Sequence, residues 1–338
     1  MNKIPSVRAS FLEPFYLVAK ELGSPVESLL QSVNLPSQLP EEKELFLLEI
    51  NCWKFVHSIA KREFCSIYGL IAGEKKPWTE IVTIKPLFKD CLNLYDLLKR
   101  LVIFAPTQSL TSRFALVEEG DFIWFVNLCP RLLAEKESVQ IELFDILGMI
   151  QLVQACAGKN WRPQEIHLTI KYNYEVEYAG QLNPSRIIFS KPHAKFKIPR
   201  KLLSLPILKA ISDNCVWVED FNSVEPFPET FVHQLVAIVN PYLGAGIVNK
   251  KIIANALDIS PRTLQRRLQQ FATSYSTIID HARFDKAQRL LKDSDLTMLE
   301  ISLMLGYQNA SSFTRSFRRL SGLSPKEFRS FHNKTCSL

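Results

Sequence analysis

Glycine and histidine are both scarce in this chain: 338 residues hold 11 glycines and six histidines. The scarcity excludes several chemistries. No glycine-rich loop of the kind that cradles a phosphate is present, and no GxSxG elbow presents a nucleophilic serine. His57, His167, His193, His233, His281 and His332 form no HxxxH or HExxH pattern, so a zinc hydrolase is not expected. The seven cysteines (Cys52, Cys65, Cys91, Cys129, Cys156, Cys215, Cys336) contain no CxxC pair, are odd in number and show no zinc or redox spacing. Reduced thiols, buried or idle, are the expectation. No segment reaches about 18 uncharged apolar residues, and the opening MNKIPSVRASF lacks the apolar run of a signal peptide. These absences predict a cytoplasmic chain with no membrane segment, no cofactor, no metal site and no catalytic activity.

What is present is a chain of ordinary globular composition, 47% hydrophobic and 22% charged, long enough for two or three domains. Its charge is unevenly placed. From Glu229 onward there are 15 Lys+Arg against 8 Asp+Glu, a net of +7 that equals the net of the whole chain. The preceding residues are therefore balanced, and only the last third is built to meet a polyanion.

The periodicity of the first two hundred residues predicts an α+β unit. Helices are expected over Pro14 to Leu22, from a capping box at Ser24-Pro25-Val26-Glu27 to about Val33, over Leu48 to Arg62, and over Cys65 to Gly73. Asn93 should cap a helix from Leu94 that stops at Phe104, before Pro106. Leu110 to Val117 and Phe122 to Leu128 read as strands joined at Glu119-Gly120. A long helix follows over Ala134 to Ala157, then strands at Glu165 to Lys171, Arg186 to Ser190 and Lys195 to Ile198, giving helices over a small antiparallel sheet. The aromatic run at Phe122, Trp124 and Phe125 suits either a packed sheet face or an apolar ligand. Asp213 to Glu229, with Pro226 and Pro228, reads as a linker, so the expected domains are 1–212, the linker 213–229, and an all-α unit over 230–338.

That last unit contains one pattern twice, about 49 residues apart. Ile252 to Phe271 and Glu300 to Leu320 each read as helix, tight turn, helix, and superposing Ile253 on Ile301 aligns Leu257 with Leu305, Leu264 with Phe313, Leu268 with Phe317 and Phe271 with Leu320. In the first copy Ser260 is an N-cap and Pro261 the first helical residue. Leu264 and Leu268 point inward, and the opposite face carries Arg262, Gln265, Arg266 and Gln269, side chains with the reach and donors for base edges. In the second copy Thr297 caps the supporting helix, Gly306 makes the turn and Asn309 or Ala310 opens the following helix. There Phe313 and Phe317 face inward, while Ala310, Ser311, Thr314 and Arg315 face out and offer fewer long donors. Arg318, Arg319, the N-cap Ser324 and Lys326 are the candidate phosphate partners. Between the copies, Thr277 to Lys292 is a helical strut, with Arg283 and Arg289 placed to pair with Asp280, Asp285 or Asp293. Two such units on one body suit two successive major grooves, about 34 Å apart.

The segment from about Val248 to Arg329 resembles the DNA-binding domain of the AraC/XylS family of bacterial transcription regulators. The resemblance is carried by Ala254, Leu257, Ser260, Leu264, Arg266, Ala287, Leu290, Leu291, Ile301, Gly306, Tyr307, Phe313, Arg315, Phe317, Arg318, Gly322, Pro325, Phe328 and Arg329. Leu268 stands where the family often has Phe, and Ser302 where Ala is usual. The resemblance implies base contacts from Arg262, Gln265, Arg266, Ala310, Ser311 and Arg315. The N-terminal part resembles the sensor domain of the ornithine-utilisation-regulator branch, through SVNLP, NLYDLLKRL, VEEGDFIWFV and WRPQEIHLTI. That domain is called arabinose-binding-like, although the helix-rich pattern here is not that of a jelly roll. The implied protein is a nucleoid-associated activator, partnered by promoter DNA, RNA polymerase and a small-molecule effector. The alternative is a regulator whose N-terminal domain serves only homodimerisation or protein contact. DNA-repair methyltransferases carry a similar DNA domain, but none of the seven cysteines has the context of a methyl acceptor.

Overall fold

The computed structural model describes residues 4–40, 45–129, 135–208, 230–243 and 249–335. The predicted linker at 213–229 lies outside the described residues.

The first helices follow the apolar spacing closely: α1 (Glu13–Glu21), α2 (Val26–Ser32), α3 (Glu49–Arg62) and α4 (Tyr68–Lys75). Two expectations fail locally. Ser24 does not cap α2; its hydroxyl donates instead to Glu63 Oε1 at 2.7 Å. Helix α5 (Leu94–Gln108), capped by Asn93 accepting from the Asp96 amide at 3.0 Å, runs through Pro106 rather than stopping before it. Proline costs one backbone donor, but the turn is closed by the Thr107 hydroxyl donating to Phe104 O at 2.7 Å and the Ser109 amide to Ala105 O at 3.1 Å.

A feature the sequence did not announce is a two-stranded antiparallel ribbon, β1 (Ser6–Arg8) with β2 (Phe46–Leu48), pairing Ser6 with Leu48 and Val7 with Leu47. The larger sheet has the order β3-β4-β7-β5-β6, from β3 (Phe114–Glu119), β4 (Phe122–Asn127), β5 (Glu165–His167), β6 (Arg186–Ile188) and β7 (Ala194–Pro199). The β3–β4 hairpin turns at Gly120, whose φ of 55° suits glycine. β5 and β6 run parallel, so the sheet is not wholly antiparallel. The chain between them includes a short helix, α7 (Tyr174–Glu177), as a parallel connection requires.

Helix α6 (Glu135–Ala157) is the axis of this domain. Its segment Ser138–Ala157 is long and apolar enough to span a bilayer, but two-thirds of it is buried inside the domain, where it serves as the core helix. Two glutamines on α6 tie it to α4. Gln140 accepts from the Gly69 amide at 2.8 Å and donates to Ser66 O at 3.0 Å; Gln151 accepts from the Trp78 amide at 3.0 Å and donates to Gly73 O at 2.8 Å. The backbones come so close that a Cβ on Gly69 would collide with the carbonyl of Gln140.

The C-terminal unit comprises α8 (Phe231–Leu243), α9 (Lys250–Ala256), α10 (Pro261–Gln270), α11 (Tyr275–Asp293), α12 (Met298–Met304), α13 (Ala310–Ser321) and α14 (Pro325–Thr335). It has two cores. The first gathers Leu235, Ile238, Val239, Ile253, Leu264, Leu268 and Ile278; the second gathers Ala287, Leu291, Ile301, Leu305, Phe313 and Phe317. Helix α11 contributes its first half to one and its second half to the other, so it is the strut the sequence predicts, about 28 Å long at 1.5 Å per residue. The first core also takes in Ile4 and Leu48 from the N-terminal ribbon. The Ile4 amide donates to Gln234 Oε1 at 2.9 Å and the Tyr242 hydroxyl to Asn34 O at 2.6 Å. Helix α8 is thus seated directly on β1–β2.

Candidate functional site

The first helix pair is built by local chemistry. Asn249 caps α9, accepting from the Lys251 amide at 2.9 Å. The turn passes through Asp258 at φ 53°, a conformation asparagine and aspartate tolerate better than most side chains. Ser260 Oγ then accepts from the Thr263 amide at 3.0 Å and Pro261 sets the first turn of α10. Leu264 and Leu268 are buried. Arg262, Gln265, Arg266 and Gln269 are all exposed on the opposite face, with Lys250 Nζ donating to Gln265 Oε1 at 3.1 Å.

The second pair repeats the plan with different parts. Thr297 and Glu300 form a reciprocal capping box at the start of α12, and Gly306 turns the chain at φ 73°. Asn309 caps α13 by accepting from the Ser312 amide at 2.8 Å, and Gly322 closes it at φ 77°. Phe313 and Phe317 are buried; Ser311, Arg315, Arg318 and Arg319 are exposed, Ala310 and Thr314 half-buried. The Thr314 hydroxyl already donates to Ala310 O at 2.8 Å, which leaves its lone pairs rather than its proton for an outside partner. Ser302, at the position equivalent to Ala254, is fully buried and tolerated because its hydroxyl donates to Leu299 O at 2.8 Å. Phe271 and Leu320, the last aligned pair, leave the cores together: each is 37% exposed.

Three placements, two of arginines and one of a serine cap, differ from expectation. Asp280 pairs with Arg319 at 2.5 Å and not with Arg283. Arg283 instead caps the end of α12, donating to Leu305 O at 2.9 Å and Gly306 O at 3.1 Å while stacking on Tyr307 at 4.5 Å. At the start of α14 the Ser324 amide donates to Glu327 Oε2 at 2.7 Å and the Glu327 amide to Ser324 Oγ at 3.3 Å. A carboxylate thus occupies that helix start, held below its usual pKa by Ser324, which makes Ser324 a poorer phosphate partner than its cap position suggests. Lys326 beside it is exposed.

The N-terminal domain holds a part-open cavity of about 340 Å³ between α3, α5, α6 and the β3–β4 hairpin. Phe11, Trp53, Trp78, Phe104, Phe114 and Phe144 supply its aromatic wall. The run Phe122, Trp124, Phe125 is not part of that wall: Phe125 packs against Phe114 and Phe196, while Trp124 lies on His167 and under Lys195. The polar lining was not visible in the sequence. Glu49 is buried at the start of α3, its Oε1 accepting from Ser109 Oγ at 3.0 Å, Thr111 Oγ1 at 2.5 Å and Trp53 Nε1 at 3.3 Å; its Oε2 has no partner. Burial raises its pKa. Gln108 Nε2 donates to Thr107 Oγ1 at 2.9 Å, and Gln108 Oε1 has no partner. Asp145 Oδ2 accepts from Asn127 Nδ2 at 3.0 Å, and burial, aided by Glu49 and Glu142, pushes Asp145 up to about 7. Glu142 accepts from the amide and hydroxyl of Thr169.

Two capped helix pairs on one rod, each turning an arginine-bearing polar face outward from an apolar core, define a tandem helix–turn–helix protein. Residues 253–330 match the family described as "Helix-turn-helix domain". Over 332 residues the chain is 20% identical to the HTH-type transcriptional regulator VirS of Mycobacterium tuberculosis, covering 96% of both chains. Over 76 residues it is 36% identical to the ornithine utilization regulator of Pseudomonas aeruginosa, 22% of each chain. The crystal structure of the transcriptional regulator CdpR from Pseudomonas aeruginosa aligns with 90% of this chain and 96% of its own at 18% identity and a TM-score of 0.38. Residues 253–330 are therefore a helix-turn-helix domain similar to those of these transcriptional regulators.

Proposed function

We propose that the N-terminal domain, residues 1–212, binds a small effector in its cavity and thereby controls how residues 230–338 engage promoter DNA. Base reading is assigned to Arg262, Gln265, Arg266 and Gln269 on α10 and to Ala310, Ser311, Thr314 and Arg315 on α13. Arg318, Arg319 and Lys326 are assigned to phosphates, with Ser324 the weakest of that set. The sign implied by the AraC resemblance is activation, with RNA polymerase as the partner at the promoter.

The observation that carries effector control is the ribbon. Val7 and Glu49, which immediately follows β2, both line the cavity. Leu48, one residue earlier, is buried against α8 of the DNA-binding unit, as is Ile4. A ligand that shifts Glu49 therefore shifts the seat of α8, and a two-site coupling of this kind needs no chemical step. The alternative, an N-terminal domain that only dimerises or meets a protein, leaves a cavity of about 340 Å³ unexplained.

The test is a promoter–reporter measurement with and without effector on Leu48→Ala and Gln234→Ala. Both should keep operator binding while losing most of the response to effector. An unchanged response in both variants overturns the coupling.

A further inference from the structure

The two helix pairs carry, at equivalent points, side chains left with opposite hydrogen-bonding character. Ser260 and Asn309 are the N-caps of α10 and α13, and Leu264 and Phe313 are the first buried residues of those helices. Gln265 and Thr314, one residue further on, therefore stand at the same point of the two outward faces. Gln265 is exposed and Thr314 half-buried. In the first pair Lys250 Nζ donates to Gln265 Oε1 at 3.1 Å. An ammonium has no acceptor, so the amide turns its oxygen to Lys250 and its two N–H donors away. Lys250 is held there as the first residue of α9, which Asn249 caps. In the second pair the superposition of Ile253 on Ile301 puts Met298 where Lys250 stands in the first. There the Thr314 hydroxyl gives its one proton to Ala310 O at 2.8 Å and keeps only lone pairs.

Resting on the base-reading assignment above, we propose that Lys250 is a specificity-determining residue: by orienting Gln265 it makes that position of the first half-site guanine, while Thr314 in the second half-site reads an exocyclic amino group, adenine N6 or cytosine N4. In the major groove guanine shows two acceptors, O6 and N7, whereas adenine shows an N7 acceptor beside an N6 donor. A glutamine free to choose its orientation pairs with adenine, giving one N–H and receiving another. Gln265 has lost that match, because an adenine N6–H would have to approach its oxygen beside a positive charge. The ammonium keeps further N–H groups after bonding Gln265. Ammonium and amide together thus present donors only, which suits guanine O6 and N7. Charge assistance makes the orienting bond stronger than one between neutral groups. Thr314 is the complement. With its proton committed to the backbone of α13, it can accept from an amino group but has nothing to give a phosphate oxygen or guanine O6.

The experiment selects the full chain on a randomised duplex library and repeats the selection with Gln265→Ala and Thr314→Val. The base pair that each variant relaxes is the one its side chain reads. In the wild type the pair under Gln265 should be G·C. Lys250→Met, which installs the residue of the second copy, should move the ratio of G·C to A·T at that pair about tenfold toward A·T, and Lys250→Arg, which keeps a donor cation, should hold it within about twofold. A ratio at one pair is not moved by a general loss of positive charge, so it separates this role from a phosphate contact. In the selected duplex, 7-deazaguanine at that pair, which lacks the N7 acceptor, should weaken the wild type about tenfold and Gln265→Ala far less. At the pair under Thr314, replacing the adenine or cytosine by the analogue without its amino group (purine or pyrimidin-2-one) should weaken the wild type more than Thr314→Val. The inference is overturned if A·T is selected under Gln265, if Lys250→Met leaves the ratio unchanged, or if either analogue weakens wild type and variant equally. Should Gln265→Ala and Thr314→Val relax no base pair at all, the base-reading assignment falls with it; relaxed pairs of the wrong kind remove this inference alone.

Discussion

Replacing Asp145 by asparagine should flatten the pH dependence of stability in the effector-free protein. In the folded chain this carboxyl is pushed up to about 7 by burial, against an ordinary value of 3.8. Between these two values the native state holds a proton that the unfolded chain has released. A raised carboxyl pKa therefore contributes stability at low pH that disappears as pH climbs through 7. At about 1.4 kcal/mol per pK unit, roughly 2.5–3 kcal/mol present at pH 5 is gone at pH 8. For a domain of this size that corresponds to a fall in melting temperature of roughly 5–12 °C. Asparagine is isosteric with the protonated acid, carries no titrating group and can still accept from Asn127 Nδ2. The assay is thermal unfolding of wild type and variant at half-unit steps from pH 5 to 8.5. Glu49 is raised in the same direction and helps raise Asp145, so the difference between the two curves reports Asp145 together with its coupling to Glu49. Parallel curves would refute the burial argument.

Other outcomes follow from the geometry. Arg266→Ala should weaken the cognate operator by about 1–3 kcal/mol and relax one base position, read by gel shift against scrambled duplex; equal affinity for both sequences in the wild type would sink the base-reading assignment. Arg319→Ala should weaken all sequences alike and lower the salt slope by about one, whereas Asp280→Asn, which frees Arg319 from its ion pair, should strengthen them; a sequence-selective effect of either contradicts a phosphate role. Gly69→Ala forces α4 off α6 against a backbone carbonyl and should cost about 1–3 kcal/mol or more in urea melts, while Gly180→Ala, with nothing near its added methyl, should be close to neutral.

What the sequence revealed was what neighbouring residues decide among themselves. Ser260-Pro261, Thr297 with Glu300, and Asn309 each fix a helix start within four residues, so the two helix pairs could be drawn before any coordinates. The outward polar faces followed from helical period alone. Failures cluster where a distant partner intervenes. Ser24 has the form of a cap but is claimed by Glu63, and Asp280 is claimed by Arg319 from another helix. Three-residue strands such as β1 and β2 are too short to show an alternation, and the parallel β5–β6 pairing depends on a connection that carries no register signal. The cavity was illegible for a further reason. An acid at the first residue of a helix, as Glu49 is, ordinarily faces water and suits the helix dipole. Nothing local says that Ser109 and Thr111 will roof it over, or that Asp145 will arrive beside it from a core helix.

The nineteen-residue rod that both cores share acts as a ruler. Because each half of it is locked into a different apolar cluster, the angle and distance between α10 and α13 are fixed before DNA is met. B-form DNA turns by about 35° for each base pair added, given about 10–10.5 per turn. A spacer altered by one pair would swing the second half-site out of line with a helix that has no hinge to follow it. Promoters served by this protein should therefore hold their inter-site spacing constant more strictly than they hold individual bases under α13, where long donors are few.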